Sequence, residues 1–509
     1  MIALWFIMLW LVIKTSSSST QQVLDGTNVT NSPYANRQHS FLGEEHFFTP
    51  VESLLALSEV QYTTLRHPSF PKYSARIKKT KFCDSTVNGY TGYIDIEARH
   101  LFFYFFESRS SPAKDDVIFW TNGGPGASSS MGLFMELGPC RILSEEGPKF
   151  HPESWNSNAN IFFVDQPIGV GFSYAEYGET VSTTEEAAKD IAAFVALFFE
   201  NFSQFKGRPF HMAGESYGVR SSEGRYLPLF ASAVYDQNTV LVEAGLTPIN
   251  LASVMIGNGV THWFHLLASY YEMTCTAASI SPVFDIGTCV GMKKALGRCQ
   301  KWTKESCIDM FDDINCAAAS NFCRDLLVNP YTESGMNPYD ITKKCEGSVR
   351  ETFCYPESRY TRDYLSKPKV RDELGVDHHP AIPLNFTGAN FDVHEAFTRT
   401  LDLFHESTAY VGALLERGVR VLVYVGTYDW ICNWVGNERW TLELEWSGKR
   451  EFVKQELRDW DVDGKRAGRT RSWQNFTFAT VDAAGHLVPY DKPKESLELV
   501  NRWLAGKDI

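Results

Sequence analysis

Gly214-Glu215-Ser216-Tyr217-Gly218 decides how this chain is read. The pentapeptide follows the apolar run Phe210-His211-Met212-Ala213 directly and places one serine between two glycines. A strand that turns sharply into a helix needs very small residues two positions either side of its apex. Larger ones would drive the elbow's backbone into itself and bury the serine oxygen. The pattern also arises by chance in a chain with 36 glycines, so its weight depends on what surrounds it.

Working outward, short apolar strands alternate with glycine-rich turns and helices. Tyr90–Tyr93 and His100–Glu107 read as an aromatic hairpin. Val117–Trp120 opens into Thr-Asn-Gly-Gly-Pro-Gly, and Asn160–Val164 opens into Asp165-Gln-Pro. Glu185–Phe199 has helical periodicity. Val254–Ile256 ends in Gly-Asn-Gly, and Val419–Val425 and Phe476–Val481 are the last strands. This rhythm predicts an α/β fold with a mostly parallel sheet flanked by helices. A cysteine-rich stretch at about 262–365 interrupts it and reads as an inserted, disulfide-rich cap subdomain.

A serine hydroxyl needs a base, and the base needs an acid to orient it. In this fold class the order along the chain is Ser, then Asp or Glu, then His, each just beyond a strand end. Asp429 follows Val421–Val425 through Gly-Thr-Tyr, and His486 follows Val481 through Asp-Ala-Ala-Gly. A lone loop-tip aspartate is more often a turn residue. The two placements in that order favour a triad with Ser216.

The chain has 509 residues, 48 basic and 61 acidic, for a net charge of −13. It has no basic run suited to a phosphate backbone, so nucleic acid is not an expected partner. Ile2–Ile13 is an unbroken apolar run, too short to span a bilayer and suited to a secretory signal over residues 1–19. Its positive flank is missing, which leaves an uncleaved anchor as the alternative; stable membrane insertion is not expected of later segments. Residues 20–79 are polar and end in the basic cluster Arg76–Lys81, read as a pro-segment (and hence a zymogen) or a linker. Residues 80–509 are the expected catalytic domain. Eleven cysteines, six of them between Cys275 and Cys323, suit a disulfide framework in an exported chain. The absence of C-x-x-C pairs argues against zinc. Sequons at Asn28, Asn201, Asn385 and Asn475 are compatible with glycosylation.

With these pieces assembled, the chain resembles the serine carboxypeptidases, in particular fungal enzymes similar to carboxypeptidase Y. The resemblance is carried by Trp120–Gly126, Glu136-Leu-Gly-Pro139, Ser154-Trp-Asn156, Asp165–Tyr174, Gly214–Gly218, Gly257-Asn-Gly259, Asp429–Asn433 and Gly485-His486 with Val488-Pro489. It implies an α/β-hydrolase fold and an exopeptidase releasing C-terminal residues from peptides and proteins, favoured in mild acid and needing no metal or organic cofactor. Ser216 would attack, His486 would shuttle the proton and Asp429 would hold it. Gly124 and Tyr217 would supply the oxyanion hole. Asn122, the Gly123 amide, Glu136 and Glu215 would grip the free carboxylate, which demands that the glutamates hold protons. Trp120, Ile431 and Cys432 would belong to the substrate pocket, Cys432 as a thiol. The family's pairing would be Cys275–Cys289, Cys299–Cys323, Cys307–Cys316 and Cys345–Cys354, with Cys83 and Cys140 left over and their pairing open. A vacuolar or extracellular destination follows.

The chain departs from that pattern in two places. Ala127 and Ala389 stand where relatives carry a disulfide pair. Val219-Arg-Ser-Ser-Glu223 separates Gly218 from Gly224-Arg-Tyr-Leu-Pro228, which relatives join almost directly. Five residues are about 1.4 helical turns and cannot be absorbed as whole turns. They represent either a misplaced exon boundary or a genuine insertion that impairs catalysis. A catalytically impaired homologue is therefore one alternative. A related esterase or acyltransferase using the same triad is the other, and it would need the carboxylate-gripping positions changed.

Overall fold

The computed structural model describes residues 54–216 and 225–509. Strands, in chain order, are β1 Thr63–Arg66, β2 Tyr73–Thr80, β3 Gly89–Ile96, β4 Arg99–Phe106, β5 Val117–Asn122, β6 Cys140–Arg141, β7 Lys149–Phe150 and β8 Asn160–Val164. There follow β9 Tyr174–Ala175, β10 Phe210–Glu215, β11 Leu251–Gly257, β12 Arg420–Gly426, β13 Arg458–Val462, β14 Lys465–Trp473 and β15 Phe476–Val481. All but β6 and β7 form one mixed sheet in the order β1-β2-β3-β4-β8-β5-β10-β11-β12-β15-β14-β13, with β9 on β4. Its centre, β8-β5-β10-β11-β12-β15, is parallel throughout. Antiparallel strands flank it on both sides.

The side-chain period of two explains why helices cover both faces. Along β4, Phe103 and Phe105 point into one core, which contains Phe162, Phe194 and Phe198. Phe102, Tyr104 and Phe106 point into the other, with Trp120, Phe163 and Trp503. Helix α1, Thr184–Asn201, supplies the first core; Thr183 caps it by accepting from the Glu186 N–H, and Glu185 and Glu186 occupy its first turn. Every residue of β5, β8, β10 and β15 is buried, the signature of parallel strands covered on both sides.

Between β11 and β12 the chain leaves the sheet for a helical insertion: α3 Trp263–Cys275, α4 Ile286–Thr303, α5 Asp313–Leu327, α6 Asn329–Glu333 and α7 Val349–Thr352 (α2 is Tyr226–Glu243). It packs as a third core that includes Trp430, Ile431 and Leu487 from beside the sheet's edge. Disulfides Cys275–Cys289, Cys307–Cys316 and Cys345–Cys354 tie it, and Cys83–Cys140 joins the first part of the sheet.

Three expectations are corrected here. The pro-segment or linker expected over 20–79 is part of the sheet from Thr63 onward, as β1 and β2. Its basic cluster is folded in at one end and displayed at the other: Arg76 donates to Asp95 at 2.8 Å and to Asp377 at 2.8 Å, and Lys78 is buried, whereas Lys81 is exposed. Cys299 and Cys323 form no disulfide. They face each other across the α4–α5 seam as buried thiols in hydrogen-bond contact, which lowers the Cys299 thiol's pKa and raises that of Cys323. Asn201 cannot carry a glycan, because it is buried at the end of α1 and donates to Leu197 O at 2.9 Å. Asn385 is exposed and Asn475 half-buried, while Asn28 and the expected signal lie outside the described residues. No helix among the described residues is long and apolar enough to cross a membrane.

Candidate active site

Five neighbouring parallel strands end on one edge of the sheet, and the chemically interesting side chains stand just past them: Asn122 at the end of β5, Ser216 after β10, Asn258 after β11, Asp429 after β12 and His486 after β15. Ligands and reacting groups collect on this edge because the strand ends converge there beneath variable loops.

Ser216 sits at the elbow with φ +73°. A side chain in that left-handed region costs energy and persists where the surroundings impose it. Its N–H donates to Gly257 O at 3.2 Å, anchoring the turn to the neighbouring strand. Glycine is needed two residues earlier, since a Cβ at Gly214 would lie 2.6 Å from Thr121 O.

Asp429 is fully buried, and its charge is met on both oxygens. His486 Nδ1 and Asn258 Nδ2 each donate to Oδ2 at 2.7 Å, and the Cys432 N–H donates to Oδ1 at 3.2 Å. The loops carrying the acid and the imidazole are stitched by Tyr428 N–H to Ala484 O at 2.8 Å and Thr427 N–H to Val481 O at 3.0 Å. Gly426 permits this approach, because any side chain there would overlap the Gly485 carbonyl. The His486 N–H donates to Tyr339 O at 2.8 Å, and the two rings lie 5.1 Å apart. His486 Nε2 is buried and has no hydrogen-bond partner among the described residues. His486 and Ser216 line one cavity with Asn122, Gly123, Gly124 and Glu215.

Asn122 organises the acidic end of that cavity. Its Oδ1 accepts from Trp120 Nε1 at 2.8 Å and from the Gly132 N–H at 2.9 Å, which fixes the amide's orientation. Its Nδ2 then faces two carboxyls, donating to Glu136 Oε1 at 3.2 Å and Glu215 Oε1 at 3.1 Å. Burial pushes Glu136 up to about 7, restrained by hydrogen bonds from Glu215 and Asn122. Burial first, and the neighbouring Glu136 next, push Glu215 well above the ordinary carboxylate range. Apart from the bond between the two carboxyls, no group among the described residues donates to Oε2 of either one. Arg141 supports Glu136 from behind by donating to its main-chain carbonyl at 2.6 Å.

Ser216, Asp429, His486, Asn122, Gly123, Gly124 and Glu215 are thus brought together, with Glu136 one layer behind Asn122. Tyr217 and the 219–223 stretch lie outside the described residues. Trp120, Ile431 and Cys432 are not among the residues that line the cavity beside Ser216, although the Cys432 Sγ lies within 4.8 Å of a His486 ring nitrogen. Trp120 lies beneath the cavity, edge-on to Trp155 at 5.3 Å, because its N–H is committed to Asn122. Ile431 and Cys432 face the core of the insertion, where Tyr270 Oη donates to Ile431 O at 2.9 Å. The cavity's apolar wall is instead Met131, Tyr339, Phe353, Tyr355 and Leu487. Sequence reasoning misses this wall, and it misses Asn258 although Gly257-Asn-Gly259 is one of the blocks that carry the family resemblance. Asp429, Cys432 and His486 place potential metal-binding atoms within 4.8 Å of one another. Asp429 and His486 are already committed to each other there.

The profile of the serine carboxypeptidase family matches residues 80–506. The chain belongs to that family. It is a serine-type carboxypeptidase, a hydrolase acting on peptides. A vacuolar serine-type carboxypeptidase, ATG42, of Saccharomyces cerevisiae is 40% identical over 452 residues, 87% of this chain and 85% of that protein. Carboxypeptidase Y of Candida albicans is 40% identical over 440 residues, 86% of this chain and 77% of that protein. In fold, this serine carboxypeptidase is similar to the crystal structure of Kex1, a prohormone-processing carboxypeptidase of Saccharomyces cerevisiae, with a TM-score of 0.68. The two are 23% identical, over 86% of this chain and 92% of that one.

Proposed function

We propose that Ser216, His486 and Asp429 carry out the peptide cleavage. One observation supports this above the rest: the Asp429–His486 bond of 2.7 Å leaves His486 Nε2 without a partner among the described residues, on the cavity that Ser216 lines. Ser216 Oγ adds to the carbonyl carbon of the last peptide bond as its proton passes to Nε2. The C–N bond then breaks, and the same proton goes to the departing amine of the C-terminal residue. Water, activated by the freed Nε2, hydrolyses the resulting ester and regenerates the serine. Asp429 holds the tautomer in which Nδ1 carries hydrogen and stabilises the imidazolium that forms. The N–H groups of Gly124 and Tyr217 serve the oxyanion, where losing one donor typically costs ~10²–10³ in rate.

The free carboxylate of the substrate lies against Asn122, the Gly123 amide and the protonated Glu215, with Glu136 behind. A carboxyl that retains its proton donates to an anion; an ionised one repels it. Because burial raises Glu136 to about 7 and holds Glu215 well above the ordinary carboxylate range, productive binding is strongest in acid and fades as the pair ionises. No cofactor takes part. The named relatives and the apolar N-terminal run support delivery through the secretory pathway to a vacuole or the exterior. Nucleic acid is no partner, and peptide and protein C-termini are the substrates.

Two measurements test this. Fluorophosphonate labelling is expected on Ser216 and is expected to disappear in Ser216→Ala; labelling elsewhere would refute the nucleophile. N-blocked peptides with a free C-terminus are expected to be cleaved far faster than their C-terminal amides from about pH 4 to 7. Equal rates would refute the carboxylate-binding role.

A further inference from the structure

The pocket beside Ser216 offers about 30 Å3 of space. A single water needs roughly 10–15 Å3 of such space, so the enclosed part of this pocket holds no aromatic ring. A second cavity of about 470 Å3 lies against its wall, and the two share Gly124, Ala127, Tyr339 and Phe353.

The partition between them is thin and unusually built. Ala127 faces Ala389 in an isolated antiparallel pair, flanked by Ser128 N–H to Gly388 O at 2.9 Å and Asn390 N–H to Gly126 O at 2.8 Å. That pattern makes the alanines a non-hydrogen-bonded pair, the kind whose side chains approach most closely. Only two methyl groups stand there. The other part is Phe353, with φ +53°, followed by Cys354 with φ +57°. Two successive left-handed residues that are not glycine are costly, and such strain collects at binding sites. The Cys345–Cys354 disulfide and Tyr355 N–H to Thr352 O at 2.9 Å hold this bend, which leaves Phe353 on both cavities.

The larger cavity is mainly apolar, with Val328, Val349 and Phe391 in its walls and Arg324 and Arg350 among them. The Arg350 guanidinium lies 4.9 Å over the Phe391 ring. Guanidinium groups favour the faces of aromatic rings, and ring edges favour other rings. We infer that this cavity is a second chamber of the substrate pocket, receiving large aromatic side chains at the C-terminal position of the peptide. Phe353 and the Ala127–Ala389 pair are its threshold and set selectivity. The inference rests on the carboxylate site proposed above, since it is a C-terminal residue anchored there whose side chain meets this threshold.

The test uses the full chain and N-blocked dipeptides Phe-Xaa with Xaa Ala, Phe or Trp. The native enzyme is expected to favour Trp and Phe over Ala at least tenfold in kcat/KM. Thr332→Trp, which fills the chamber from an exposed rim position on α6, is expected to cut the Trp-to-Ala ratio at least fivefold. An unchanged ratio would overturn the chamber. Calorimetric binding of the same dipeptides to Ser216→Ala separates the two proposals. Tighter binding of Phe-Trp than Phe-Ala that Thr332→Trp abolishes upholds the chamber even if the native enzyme cleaves none of them. Cleavage without size preference, or binding indifferent to Thr332→Trp, removes the chamber alone.

Discussion

Replacing Glu136 by glutamine isolates the energetic cost of the acidic pair. In the folded protein this carboxyl is fully buried and titrates at about 7 against an ordinary 4.5. The folded state therefore binds the proton more tightly than the unfolded chain. Its stabilising contribution is complete below about pH 4.5 and is lost as pH rises through about 7. A difference of that size corresponds to about 3 kcal/mol. Glutamine cannot ionise, so Glu136→Gln removes this loss while keeping an amide where the protonated acid stood. Packing effects of the substitution are common to all pH values and cancel on comparison, and removing the Glu136 charge also relieves Glu215, which acts in the same direction. Urea unfolding of native and variant at about pH 4 and pH 8 is expected to show the variant gaining about 3 kcal/mol relative to the native chain at the higher pH. The same variant is expected to flatten the rise of KM with pH. A pH-independent stability difference, or a gain below about 1 kcal/mol, would refute the picture of a buried, proton-holding glutamate.

Three further outcomes are expected. Asn258→Ala leaves Asp429 Oδ2 with one donor in place of two; a hydrogen bond to a charged group is worth about 1.5–3 kcal/mol, so kcat is expected to fall roughly 10- to 100-fold with KM little changed. Ala127→Cys combined with Ala389→Cys is expected to form a disulfide spontaneously, since the two backbones already pair, and to add about 2–4 kcal/mol that reductant removes; thermal melts with and without reductant check it. Arg76→Ala leaves Asp95 and Asp377 short of their shared cation in a partly buried site and is expected to cost about 3 kcal/mol, read by urea unfolding at pH 7. Indifference to this change would mean that β2 is peripheral to the sheet.

The parts of the fold that were legible are those whose burial is symmetric. β5, β8, β10, β12 and β15 lie under helices on both faces, so they read as continuous apolar runs, and each was placed within a few residues of its true ends. β1 and β2 were not legible. β2 carries Arg76, Lys78 and Lys79, and a charged strand at the sheet's side looks like a solvated loop until its partners are known. Asp377, which pairs with Arg76, lies about 300 residues further along, and nothing local announces it. The same division runs through the site. Ser216, Asp429 and His486 could be found because each needs its own tight turn at a strand end, and turn chemistry is written in adjacent residues. The aromatic wall of Tyr339, Phe353 and Tyr355 comes from the insertion, whose path over the sheet is fixed by disulfides and packing rather than by periodicity. Chemistry is thus set by short-range geometry on the sheet's edge, and selectivity by a segment folded over it. It follows that substitutions at the wall should redistribute kcat/KM among C-terminal residues while leaving the Asp429–His486 bond in place, whereas changes at Asn258 should slow every substrate alike. A wall variant that depressed all substrates equally would show that the two layers are mechanically coupled, with Tyr339, which touches both the wall and His486, as the point of contact.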